Sequence, residues 1–304
     1  MTTFNDMVEE VLINLEGFTL RQDRTTYLTA AITSSGLTMA LASGDNIGKG
    51  IVEIDDELIH IDSVDRSDRS ATISPFGRGY RGTTAAAHTL NTKVTFAPSF
   101  PRLSVKRAIN DTIRAMGTQL LIVDQTTFTY NSAITTYELS DGSGNPLNIE
   151  NILTMSWQDI GPSKEWINVR RYTFDPKAES GTWGANAQTV TIGDYITSGR
   201  TVKVNYVKQP SAFTASNQVF TTQTGYPETA RDVVILGTAY RLLTYLDPAR
   251  ASQISPQADE IDAKRPFGSA NTAVRQIFSL YQQRLREEIQ AFQGQYPTRV
   301  HYSR

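Results

Sequence analysis

Residues 76–88 read FGRGYRGTTAAAH. Gly77, Gly79 and Gly82 stand at the G-x-G-x-x-G spacing of a dinucleotide-binding loop. That fingerprint needs a buried strand before the glycines, a helix directly after them and an acidic ribose ligand about twenty residues on. Here Thr83, Thr84, three alanines and His88 follow, then Asn91 and a strand-like run, Lys93 to Phe96, and Phe96 to Pro101 carries no Asp or Glu. The glycines therefore read as structural turn residues, supplying positive-φ backbone at no steric cost, and no cofactor is expected. Upstream, Ile51, Val52 and Ile54 lead to Glu57, and Ile59 and Ile61 then alternate with His60 and Asp62. Period-two alternation predicts half-buried strands, with Ala71 to Ser74 one more short strand.

Residues 25–94 carry a wider pattern: a Thr/Ala-rich strand, an I-x-D-E-x-I strand at Ile54–Ile59, a short turn, then R-G-y-x-G-T-T-A-A-A-H and a closing Val strand. This resembles a β-module that recurs in virion proteins of tailed bacteriophages, in more than one kind of them.

The 304 residues suffice for a sizeable core and more than one lobe. Charges nearly cancel, 29 Lys+Arg against 31 Asp+Glu, which gives no global drive toward nucleic acid or acidic membranes. The distribution is uneven: residues 1–100 hold 8 basic and 13 acidic side chains, residues 224–304 hold 10 and 8. The absence of cysteine excludes disulfides and thiolate metal sites. No secretory leader and no membrane span are expected, because no cationic start precedes an apolar core and no run approaches eighteen apolar residues.

Helical periodicity appears four times. In Thr3–Glu16 an apolar stripe runs through Phe4, Met7, Val8, Val11, Leu12 and Leu15, with Thr2 or Thr3 to cap it and Gly17 to end it. Residues 104–121 place Val105, Ile109, Thr112, Ile113 and Met116 on one side, with Ser104 as N-cap. Residues 227–246 open at Pro227 and are apolar on most sides, which predicts the most buried helix. Residues 269–293 carry a stripe from Val274 to Phe292, closed by Gly294 and Pro297. Between 126 and 220 lie dense turn signals and strand-like runs at 128–139, 152–160, 166–174, 189–192 and 201–207, the mark of a sandwich or barrel. Trp157, Trp166 and Trp183 all fall there and read as core or lobe-interface residues rather than a sugar-stacking platform.

The expected fold is α+β: a four-helix, adaptor-like core with two inserted antiparallel β-lobes and an extended C-terminal tail. The core takes residues 1–17, 101–123 and 224–293; the first β-lobe takes 18–100; the second, sandwich-like, takes 124–223; the tail takes 294–304. That order resembles the head–tail connector, or adaptor, proteins of tailed phages, most closely in the last helix and the tail. The resemblance implies a structural virion protein, assembled in the host cytoplasm and seated at the head–tail interface. It implies a ring of identical subunits, twelve by analogy, docked on the portal protein and on downstream neck or tail proteins. DNA would pass through the channel without specific binding, and no membrane is involved. A receptor- or glycan-binding tail protein, using the tryptophans, is the alternative.

Catalytic chemistry is not evident. His60, His88 and His301 form no metal-binding pair, so no metal is expected. The acidic groups Asp55–Asp56–Glu57 and Asp62, Asp65, Asp68 lack calcium-loop spacing and read as surface turns. No nucleophile elbow or P-loop occurs, and no enzyme is expected. In the tail, Tyr296, Pro297, Val300 and Tyr302 alternate with Arg299, His301 and Arg304. Such a segment is either a disordered end or a docking strand whose anchors are Tyr296, Arg299, Val300, His301, Tyr302 and Arg304.

Overall fold

A computed structural model describes residues 2–18, 22–45, 47–141, 144–161, 164–184, 186–244 and 269–296, side chains of 269–273 excepted. The chain divides into two compact units. One comprises Thr2–Thr112 and Asp232–Tyr281; the other comprises Ile113–Arg231 and Gln282–Arg304.

The first unit is built on a six-stranded antiparallel sheet. Its strands are β1 (Arg24–Tyr27), β2 (Thr38–Ala40), β3 (Gly50–Ile54), β4 (Glu57–Asp65), β5 (Ser70–Ile73) and β6 (Lys93–Phe96), in the order β1-β6-β3-β4-β5-β2. The outer strands meet: Leu28 bridges Leu41, Thr29 N–H donates to the Ala40 carbonyl and Ala42 N–H to that of Tyr27. The sheet thus curls into a barrel whose edges are paired. Alternation delivers Val52, Ile54, Ile59, Ile61, Ile73 and Val94 to one apolar interior with Leu28, Met39 and Leu41. β3 and β4 are joined by the two-residue turn Asp55–Asp56, with Asp55 at φ +52°.

The second unit holds two further antiparallel sheets. One orders β10 (Trp166–Asn168), β9 (Ile149–Gln158), β13 (Thr201–Lys208) and β7 (Ile122–Thr129); the other orders β11 (Tyr172–Asp175), β12 (Thr189–Ile192) and β8 (Thr136–Glu138). They share one core, Met155, Val202, Val204 and Tyr206 meeting Tyr137, Val190 and Ile192. The runs read as single strands at 128–139 and 166–174 are each split, because connections at 130–135 and 169–171 carry the chain from one sheet to the other.

Among the described residues five α-helices accompany the sheets: α1 (Phe4–Glu16), α2 (Arg102–Met116), α3 (Phe220–Thr224), α4 (Arg231–Leu243) and α5 (Ser269–Gln295). α1 opens with a capping box between Thr3 and Asp6, and Gly17 is its C-cap. α4 buries residues around most of its circumference.

The expected four-helix core with inserted lobes is not the architecture. Among the described residues three sheets, not a helix bundle, enclose the two strand-built apolar cores. An apolar stripe demands a buried face for its helix but does not name the neighbour; both strand-built apolar clusters hold their interiors without a helix bundle. Helix bounds also shift. α2 begins two residues before Ser104, and Pro227 precedes a 3₁₀ turn, Glu228–Ala230, rather than opening α4. The end of the helix expected at 227–246 and the tail beyond Tyr296 lie outside the described residues.

Candidate functional site

The residues that carry the β-module pattern converge on one carboxylate. Glu57 is the first residue of β4 and is 1 % exposed. Its Oε1 accepts from Arg78 Nε at 2.8 Å and from Gly79 N–H at 2.9 Å. Its Oε2 accepts from Arg78 Nη2 at 2.9 Å and from Ala86 N–H at 3.0 Å, and lies 2.9 Å from His88 Nε2. The other ring nitrogen of His88, Nδ1, lies 2.8 Å from Asp55 Oδ2. Arg78 spends its remaining donors on the carbonyls of Thr33, Gly36 and Ala86. The fork-to-fork pairing of guanidinium and carboxylate fixes both planes. One cluster therefore ties the β3–β4 turn, the loop between β1 and β2 and the 76–88 segment together.

Burial pushes the Glu57 carboxyl up, but Arg78, the Ala86 and Gly79 amides and His88 outweigh it and hold it down, at about 2. A carboxylate this acidic, with five donors at its two oxygens, is a poor general base. The arrangement is a structural clamp.

The neighbouring residues serve the same hairpin. Asp56 holds Lys106 at 2.6 Å and Arg102 at 3.2 Å; burial raises its carboxyl, and those two cations lower it further. Arg102 also binds Glu9 and Asn5 on α1. Glu53 of β3 accepts the Arg102 backbone N–H at 2.7 Å, closing the first turn of α2, and burial pushes its carboxyl up to about 7 against that bond. The expectation of a surface turn at Asp55–Asp56–Glu57 holds for Asp55 and Asp56, which form the exposed turn, and is corrected for Glu57, which is buried; Asp55 and Glu57 share the His88 ring. At Asp65 the turn is as expected, its carboxylate accepting from Ser67 and Asp68.

Gly79 and Gly82 have φ of +60° and +83°, while Gly77 serves close approach, its missing Cβ position lying 2.6 Å from the His60 carbonyl. Between them and β6 the only helical element is a 3₁₀ turn, Tyr80–Gly82. His60 bonds Ser74 Oγ at 2.7 Å. The sequence reading left Glu57, Arg78 and His88 apart; their one shared signal was their place in the same pattern.

The tryptophans do not gather. Trp157 lies opposite Ile167, and Trp166 opposite Gln158, so adjacent positions put the two indoles on opposite faces of the sheet. Trp157 packs against the sandwich core, whereas Trp166, expected in a core or interface, is 40 % exposed with Lys203 Nζ 4.3 Å from its ring. Trp183 is half-buried. Of the expected docking residues only Tyr296 is described. It continues α5, its N–H donating to the Phe292 carbonyl and its ring 5.4 Å from that of Phe292. Gly294 therefore does not end the helix, and Arg299, Val300, His301, Tyr302 and Arg304 lie outside the described residues. Among the described residues no group of three or more acidic or histidine side chains is placed to hold a metal, and no helix is long and apolar enough to cross a membrane. No protein-family model matches this chain and no curated protein matches it significantly.

Proposed function

We propose that this chain is a structural virion protein of the phage neck, a ring-forming head-to-tail connector that docks on the portal and lets DNA pass. One observation carries the reading: Asp55, Glu57, Arg78, Gly79 and His88, the residues of the virion-module pattern, are all spent on one buried clamp that rigidifies a barrel. Their chemistry is directed inward, as a building block requires. The neck placement draws on the resemblance in the last helix and the tail. The glycan-binding alternative loses support, since Trp157 and Trp166 face opposite ways and Lys203 sits against the exposed indole. Electron microscopy of virions, averaged by symmetry, tests the proposal: a ring of this chain at the head–tail junction is expected, and a trimer at the tail tip would sink it.

A further inference from the structure

Phe76 is 99 % exposed at φ +62°. It occupies the third position of the turn Ser74–Pro75–Phe76–Gly77, closed by Gly77 N–H to the Ser74 carbonyl at 2.7 Å. With proline second and positive φ third, this is the geometry in which glycine or asparagine is favoured. A phenylalanine there strains the backbone and leaves its ring in water. The turn is also rigid. His60 N–H donates to the Gly77 carbonyl at 2.8 Å, Ser74 N–H to that of His60 at 3.0 Å, and the next residue, Arg78, is clamped by Glu57. An aromatic ring on a stiff stalk is pre-organised for a pocket. Five residues on, Arg81, at φ +55°, lies 5.8 Å from the Tyr80 ring and pairs with no carboxylate among the described residues. The fitting partner surface is apolar with an acidic rim.

We propose that this loop docks on α1 of a neighbouring copy of the chain. α1 carries Asp6, Glu9, Glu10 and Glu16 and no basic residue. Ile13 is 66 % exposed on it, and Glu10 and Glu16 stand three residues away on the same face. Its last turn has no base, although a helix C-terminus favours a cation. Phe76 would cover Ile13, and Arg81 would lie beside Glu16. A loop on one copy meeting a helix on the next is a heterologous contact, the kind that builds a ring when its rotation closes. The inference rests on the ring reading above and names its surfaces.

The chain lacks cysteine, so Phe76→Cys and Ile13→Cys each carry a single thiol. Particles assembled from an equal mixture of the two are treated with a short bismaleimide. Covalent heterodimer is expected, far above the yield from either variant alone. Rings without heterodimer overturn this contact and leave the ring reading standing; particles of the parent chain without rings overturn both. Phe76→Gly separates anchoring from folding. It should melt no lower than the parent yet assemble about tenfold less well, the loss of a modest interface anchor. Undiminished assembly by Phe76→Gly would overturn the anchoring role.

Discussion

Glu53 and Glu57 lie on one hairpin, and their surroundings move them in opposite directions. Glu57, held at about 2 against an ordinary 4.5, contributes stability that is present above pH 4.5 and lost as pH falls toward 2. Glu53, raised to about 7, favours the folded state while protonated; that contribution is full below pH 4.5 and lost as pH rises through 7. Glu53→Gln should therefore stabilise the protein above pH 8, by up to about 3 kcal/mol at 1.36 kcal/mol per pH unit, and leave it nearly unchanged near pH 4.5. Urea unfolding at the two pH values reads the difference; a constant effect across them would contradict the assignment. Glu57→Ala strands the Arg78 guanidinium, only 8 % exposed, and should cost about 3–5 kcal/mol. Because both belong to one cluster, the Glu57→Ala, Arg78→Ala double variant should lose less than the sum of the single losses.

Elements here are often completed by residues remote in sequence. The first turn of α2 is closed by Glu53 from a strand 49 residues earlier, so Ser104 goes unused as a cap. The Tyr80–Gly82 turn depends on its glycines in a local way. At Gly79 φ is +60° and an added Cβ would lie 2.8 Å from the Thr83 carbonyl. Gly79→Val, β-branched in a left-handed site, should destabilise by about 2 kcal/mol or more and lower soluble yield. Titration calorimetry of the parent chain with NAD or ATP should show no heat of binding; micromolar affinity for either would revive the nucleotide reading of the glycine motif. Helix existence was legible in the sequence because a 3.6-residue stripe is local. The splits at 130–135 and 169–171 were not, because a strand that changes sheets keeps its apolar alternation.

Across the whole molecule, the connector reading makes a demand on the C-terminal residues. α5 carries the chain to Gln295, with Tyr296 still in helical register. The eight residues Pro297–Arg304 could extend roughly 26 Å, enough to reach a neighbouring ring. Deleting them should leave a soluble subunit with an unchanged melting temperature that no longer joins DNA-filled heads. Infectious particles at normal yield from the deletion would remove the tail from the docking role.

What the sequence determined by itself was local. Period-two runs became the strands of the barrel and of β13, period-3.6 stripes became α1, α2, α4 and α5, and Gly79 and Gly82 marked a positive-φ turn. Each of those signals is carried by backbone sterics and by the burial of one face within a few residues. Tertiary structure decided the rest. It brought Asp55, Glu57, Arg78 and His88 into one clamp across 33 residues, turned Glu53 into the cap of a distant helix, and put Trp157 and Trp166 on opposite faces. It also made sheets, not a helix bundle, the body of the protein. Apolar patterning says that a surface must be covered; which surface covers it depends on long-range strand pairing, and that pairing leaves no periodic trace in the chain.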